Sequence, residues 1–225
     1  MKKFLQGLLC VLFVVGCAYA QEKKAGVRPP LGGMPPLIDR DLIFGNPDIA
    51  AAQLSPDGQY IAFLKPWKDT RNVYVKKVDE PFGAARLMTT ETKRPVAGYF
   101  WSRDSKFILF VKDHDGDENY NVYAVDPSAQ PAAGADAPEA RDLTGLKGVR
   151  VQIFDRPKSD PDLLYIGIND RDKAWHDLYK VKISTGEKTL VRKNTDRVTG
   201  WSFDLKDQLR LASRTADNGD NEILR

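Results

Sequence analysis

A pattern of β-forming residues returns four times along the chain at nearly constant spacing. "LSPDGQYIAFLK" at 54–65 is echoed by "WSRDSKFILFVK" at 101–112, and more loosely by "KSDPDLLYIGIN" at 158–169 and "WSFDLKDQLRLASR" at 201–214. Aligning Ile61, Ile108, Leu164 and Leu209 gives intervals of 47, 56 and 45 residues. A second element keeps step: "NVYVKKVD" from 72, "NVYAVD" from 121, "DLYKVKI" from 177 and "EIL" from 222, at intervals of 49, 56 and 45 residues. Such self-similarity restricts the chain to an array, because a single short unit cannot bury its apolar face alone.

Each unit reads as short strands. A turn signal (Ser55-Pro56-Asp57-Gly58, or Ser102-Arg103-Asp104-Ser105) precedes an apolar run, a polar loop follows, and an alternating strand comes next. A last strand is expected at "ARLMTT" (85–90), "ARDLTG" (140–145) and "KTLVRK" (188–193), and an opening strand at Val96–Trp101. About four strands in roughly 45–55 residues is the content of one β-propeller blade. The fold class expected is all-β: a partial β-propeller of four-stranded blades, about three complete plus part of a fourth. The units fall at about 50–93, 94–147, 148–195 and 196–225. The longest interval contains "PSAQPAAGADAPEA" (127–140), a Pro/Ala-rich insertion expected to lengthen a hairpin loop whose counterpart is the short "STGE" at 184–187. Helical character is expected only as a short turn at Asp39–Phe44.

The run "DHDGDENYNVYAVD" at 113–126 raises the question of a metal loop, with Asp113, Asp115 and Asp117 on alternate positions. An EF-hand loop opening at Asp113 requires glycine at its sixth position and glutamate at its twelfth, where Glu118 and Ala124 stand. Loops in the same place recur as "NDRDKAWHD" (169–177) and "TADNGDNE" (215–222), so hairpin connections explain them more simply. Their acids, Asp113, Asp115, Asp117, Asp170, Asp172, Asp217 and Asp220, are expected around one rim, read as a solvated surface with a cation- or basic-peptide-attracting rim as the alternative. Neither a metal site nor a cofactor site is assigned.

The first twenty residues have a basic start, an apolar run from Leu8 to Val15 and an Ala18-Tyr19-Ala20 ending, the layout of a cleaved signal peptide. The apolar run is too short to span a bilayer comfortably. The alternative is a lipoprotein signal, "VVGC", with a lipid anchor on Cys17. Residues 21–37, rich in Lys, Gly and Pro, read as a flexible leader before the propeller region at 38–225. Both cysteines, Cys10 and Cys17, lie in the first segment, so cleavage after Ala20 leaves no disulfide and no thiol nucleophile. An exported, periplasmic or extracellular location is therefore expected, with no membrane contact after cleavage. The formal charge of +3 includes Lys2 and Lys3 and gives no sign of a nucleic-acid partner.

"IDRDLIFGNPDIAAAQLSPDGQYIAFL", "YFWSRDSKFILFVKDHDGDENYNVYAVD", "RDLTGLKGVRVQI" and "GINDRDKAWHDLYKVKISTGE" together resemble exported bacterial serine peptidases of the prolyl oligopeptidase family, in their acylaminoacyl-peptidase and dipeptidyl-aminopeptidase branch. The resemblance is to the N-terminal propeller and covers Ile38 to Arg225. It implies a C-terminal α/β-hydrolase domain as partner, carrying a Gly-x-Ser-x-Gly serine, then Asp and His, with peptides as substrates and the propeller gating their access. No Gly-x-Ser-x-Gly is present, so no catalytic residue is carried over. The chain is expected to be inactive alone and to be part of a longer protein. The alternative is a non-catalytic, TolB-like periplasmic propeller that binds protein.

Several side chains carry expectations of their own. Trp101 and Trp201 share a repeat position and are read as blade-to-blade core. Tyr74, Tyr123 and Tyr179 are equivalent third-strand positions, with the hydroxyl turned to a partner. His114 and His176 are placed in corresponding inter-strand loops, with Trp175 exposed beside the latter. Arg71, Arg103 and Arg171 are read as loop cations. None of the serines is expected to form a Ser-His-Asp triad.

Overall fold

The computed structural model describes residues 37–45 and 47–225. The expected signal peptide, the lipid-anchor alternative and nearly all of the leader lie outside the described residues. The described residues fall into two units, 37–45 and 47–225. In the first, a short helix α1 (Arg40–Phe44) stands where the helical turn was expected. The Asp39 side chain caps it by accepting from Asp41 N at 2.9 Å.

The second unit is four antiparallel sheets. Strands β1 (Ala50–Leu54), β2 (Tyr60–Trp67), β3 (Thr70–Lys77) and β4 (Arg86–Leu87) form the first. The second contains β5 (Gly98–Trp101), β6 (Ile108–Lys112), β7 (Asn121–Val125) and β8 (Arg141–Asp142). The third contains β9 (Val151–Asp155), β10 (Leu163–Asp172), β11 (Trp175–Lys182) and β12 (Lys188–Arg192). The last sheet has three strands, β13 (Gly200–Phe203), β14 (Leu209–Thr215) and β15 (Asn221–Leu224). Strand order follows chain order in every sheet, the meander of a propeller blade, and the opening strands β9 and β13 approach one another. This is the partial propeller expected from the repeats.

Period-two alternation gives each inner sheet two buried faces. In the second blade, Ile108, Phe110, Tyr123 and Val125 pack with Ala62, Val73, Val75 and Met88 of the first. The intervening Leu109, Val122 and Ala124 pack instead with Leu164, Ile166 and Val181 of the third. The third seam joins Leu178, Phe154 and Tyr165 to Trp201, Ala212 and Phe203. Trp101 and Trp201 are 4% and 6% exposed and sit in the first and third seams, as their shared position implied. Each fully buried Leu, Ile, Val or Phe contributes roughly 1.5–3 kcal/mol, so the seams carry most of the apolar burial.

The two ends of the blades are tied by different polar devices. At the end carrying the first-to-second-strand turns, Gly58, Ser105 and Asp207 occupy equivalent positions with φ of 74°, 64° and 58°. A side chain there is strained, yet the two non-glycine residues each reach the preceding blade. Asp57 N donates to Ser105 Oγ at 3.0 Å, and Lys158 N and Ser159 N donate to the Asp207 carboxylate at 3.1 and 2.6 Å. Between the second and third blades Arg103 takes this role, donating to Arg156 O at 2.7 Å.

At the other end, one position near the start of the third strand in each of the first three blades holds the linker to the next blade. Asn72 is fully buried and donates to Thr70 O and Glu91 O while accepting from Thr89 Oγ1 and Glu91 N, all at 2.7–2.9 Å. Asn121 donates to Asn119 O at 2.9 Å and Val149 O at 3.5 Å, but its Oδ1 has no protein partner. Asp177 accepts from Asn194 N at 2.7 Å, and Asn194 in turn bonds both backbone groups of Val198.

The insertion joins β7 to β8, as expected for a third-to-fourth-strand connection. It also folds back over the flank between the first two blades. Arg86 of β4 donates to Ala129 O at 3.0 Å and to Pro127 O, and Lys68 lies 3.7 Å from Asp136.

Replacing Asn72 by alanine leaves buried backbone and hydroxyl groups unpaired, at about 1–3 kcal/mol for each group stranded. Urea unfolding is expected to show a larger loss for Asn72→Ala than for Asn121→Ala, whose acceptor is already unpaired. Equal losses would mean that the two bonds accepted by Asn72 Oδ1 add no stability. Gly167→Ala is expected to destabilise by about 1–3 kcal/mol through overpacking. Its Cβ would lie 2.6 Å from Phe154 Cε2 and 2.8 Å from His176 Cβ.

Candidate functional site

The end of the propeller that carries the second-to-third-strand turns and the inter-blade linkers gathers most of the unusual side chains. The acidic run of the second blade lies between β6 and β7, as its repeat position required. Asp115, Gly116 and Glu118 have φ of 56°, 95° and 56°, the tight left-handed backbone that Asp and Gly favour. Asp115 and Asp117 are exposed at its surface. Asp117 accepts from His114 N, Asn119 N and Asn119 Nδ2 at 3.0–3.1 Å, and Asp113 is buried, 3.6 Å from Arg94. The hydrogen bond from the Asn119 side chain, with the backbone bonds, holds the Asp117 carboxyl below its ordinary range. Among the described residues no group of three or more His, Cys, Asp or Glu is arranged to hold a metal ion.

The acids therefore do not form a uniform negative rim. Lys93 lies 2.8 Å from Asp115, Arg197 lies 2.9 Å from Asp217, and Arg171 grips Asp177 through two bonds at 2.7 and 2.8 Å. Asp170 accepts from the Tyr179 hydroxyl at 3.1 Å. Burial, then that bond to Asp170, pushes the Tyr179 hydroxyl up to about 12, so it stays protonated. A polar depression of about 240 Å³ lies where Thr90–Arg94 meet Lys112–Asp115, lined by both signs of charge.

The third blade departs from the expected loop. β10 and β11 continue to Asp172 and Trp175, leaving only Lys173 and Ala174 in the turn. His176 is thus a strand residue, not the loop counterpart of His114. The reason is local: Asp172 Oδ1 accepts from Ala174 N at 2.9 Å and Asn169 Nδ2 donates to Lys173 O at 3.0 Å, which together close a tight turn. Its Nε2 is buried without a protein partner. Burial, reinforced by the nearby Arg150 charge, lowers its pKa from the ordinary 6.5, so the ring is neutral at physiological pH. Trp175 is half-buried, with the Arg197 guanidinium 5.8 Å from its ring centre. Arg197 itself has left-handed backbone, with φ of 59°.

The other tyrosines and cations sort as follows. Tyr123 stacks on Phe110 with ring centres 5.4 Å apart and sets its hydroxyl 3.5 Å from His114 Nε2. Tyr74 stacks on Phe63 on the opposite face of the first blade. Arg71 belongs to β3 and Arg171 to β10, so neither is a free loop cation, whereas Arg103 sits in an exposed turn. The serines serve the turns: Ser55 and Ser102 donate to Asp57 and Asp104, and Ser184 donates to Asp162. His114 faces Tyr123 and His176 faces the core, so the geometry assembles no Ser-His pair among these residues.

His176 predicts an acid-sensitive fold. The unfolded imidazole takes its proton near 6.5 and the folded one only at lower pH, so stability from this group is complete above about 6.5 and falls as pH drops below it. Urea midpoints measured at about pH 7 and about pH 5 are expected to differ less in His176→Gln than in the parent. An unchanged difference would mean that other groups govern this window.

No family model matches the chain. Dipeptidyl aminopeptidase BIII of Pseudoxanthomonas mexicana is 35% identical over 189 residues, covering 84% of this chain and 26% of that protein. Dipeptidyl peptidase family member 6 of Caenorhabditis elegans is 30% identical over 185 residues, covering 82% and 24% respectively. The chain thus spans about a quarter of the length of these curated relatives. Among solved structures, prolyl oligopeptidase B from Galerina marginata superposes with a TM-score of 0.55 at 12% identity, covering 77% of this chain and 25% of that one. That likeness is one of fold.

Proposed function

The chain is homologous to the N-terminal propeller region of prolyl oligopeptidase-family peptidases, and from that premise we propose that it is the gating portion of an exported serine peptidase. The reading rests above all on the 35% identity that runs through 84% of the chain, since a shared propeller fold alone is compatible with many functions. The partner is an α/β-hydrolase domain encoded further along the same polypeptide, which supplies the serine, aspartate and histidine. The substrates are short peptides, and the names of the relatives favour removal of dipeptides from their amino termini.

The propeller's part in this chemistry is selection by size. Blades closed around a channel admit an extended peptide and exclude a folded protein. The rigid seams between blades keep that aperture fixed, and the polar linker end offers paired charges for docking a neighbouring domain. Export rests on the layout of residues 1–20.

The test is the genomic reading frame past codon 225, followed by an assay of its full product. A frame that completes the blades and encodes Gly-x-Ser-x-Gly, Asp and His, whose product releases dipeptides from chromogenic peptides, is the expected result. The 225-residue chain is expected to show no such hydrolysis. A stop codon after Arg225, with this chain recovered folded, would overturn the peptidase reading. Mass spectrometry of the exported protein is expected to give Gln21 as its first residue; a lipid-modified Cys17 would instead establish an anchored protein.

A further inference from the structure

A second cavity, of about 320 Å³, opens on the outer flank between the first two blades. Its inner side is apolar: Met88 from the linker after β4, Phe110 from β6 and Tyr123 from β7, all buried. Ala137 and Pro138 of the folded-back insertion close it from outside, and both are themselves buried. The lining changes character at the border with the polar depression. There Lys112 Nζ lies 2.6 Å from Glu91 Oε1 and 4.9 Å from the centre of the Tyr123 ring, and both charged side chains are about one quarter exposed.

We infer that this cavity binds a free α-amino acid with an apolar side chain. The border presents one carboxylate and one ammonium in direct contact, a pair with no net charge. A lone anion would gain Lys112 and meet repulsion from Glu91; a lone cation would meet the reverse. A zwitterion satisfies both, its ammonium set against Glu91 and its carboxylate against Lys112, in charge-assisted hydrogen bonds. The side chain then enters the space between Met88, Phe110 and Ala137 and leaves water. A dipeptide fits the charges less well. An extended residue spans about 3.3–3.6 Å, so a dipeptide holds its terminal charges well apart, whereas the protein's two charges are 2.6 Å apart.

The insertion is what creates the site. The corresponding connection in the third blade is the short turn at 184–187, with no segment long enough to cover a flank. Arg86 and Lys68 pin the insertion to the first blade, so the cavity is walled by two blades and held by both.

Calorimetric titration of the 225-residue chain with leucine, phenylalanine and methionine tests the inference. Saturable one-to-one binding is expected. N-acetyl-leucine, leucinamide and leucyl-leucine are each expected to bind at least about tenfold more weakly, the loss of one charge-assisted contact. Glu91→Gln and Lys112→Met are expected to weaken leucine by about tenfold or more. Because either variant disturbs a half-buried pair, Ala135→Trp provides the independent arm. This exposed residue on the cavity wall is expected to abolish binding by filling the space, with the melting temperature unchanged. Absence of binding by all three amino acids at millimolar concentration would overturn the inference. So would preference for the dipeptide, or full-strength binding to Ala135→Trp.

Discussion

Everything in this molecule depends on sheets that are buried on both faces by their neighbours in sequence. Along β6, Ile108 and Phe110 turn to the first blade while Leu109 turns to the third, and β7 repeats the division with Tyr123 and Val125 against Val122 and Ala124. A one-residue slip of either strand would exchange the two seams at once. Register is therefore fixed from both sides, and each blade is stable only in the company of the next. The same argument explains the near-continuous apolar runs of the inner strands, in place of the apolar-polar alternation of a sheet with one wet face.

Polar groups handle what the apolar seams cannot. Linkers between blades must turn sharply within the interior, where unpaired backbone groups are costly. Asn72, Asn121 and Asp177 answer this from one repeat position near the start of the third strand, each reaching the linker that follows. At the opposite end, Ser105 and Asp207 hold left-handed backbone where Gly58 sits in the first blade, and their side chains bond the preceding blade. Backbone strain at these turns is compensated by contacts between blades. The repeat is conserved in its structural roles even where its residues change.

The charged linker end follows from the same economy of partners. Most of the acids that share a rim by topology are matched to a local cation or to backbone N–H groups, while Asp170 accepts from the Tyr179 hydroxyl and Asp220 from the Asn218 side-chain amide, so the surface presents pairs and not a field. The flank cavity uses the device once more, with Lys112 and Glu91 in contact at the edge of an apolar space.

How much of this was legible in the sequence follows from the range of each signal. Strand positions, the turn at Ser55–Gly58, the place of the insertion and the burial of Trp101 and Trp201 are all encoded by alternation and by spacing between repeats, which are local or periodic properties. The hairpin at Asp172–Trp175 was not legible, because "NDRDKAWHD" has the composition of a loop, and a tight turn closed by Asp172 and Asn169 lets pairing continue through most of it. The burial of Asp113 was hidden for a related reason: its partners, Arg94 from the linker before β5 and the backbone N–H of Glu118, are brought to it only by the folded loop. The sequence by itself determined the array, since the repeat interval admits few other ways to bury so many short strands. Tertiary structure alone decided which charges meet, how the insertion folds back over the flank and where His176 loses its water, since each joins residues that no local pattern connects.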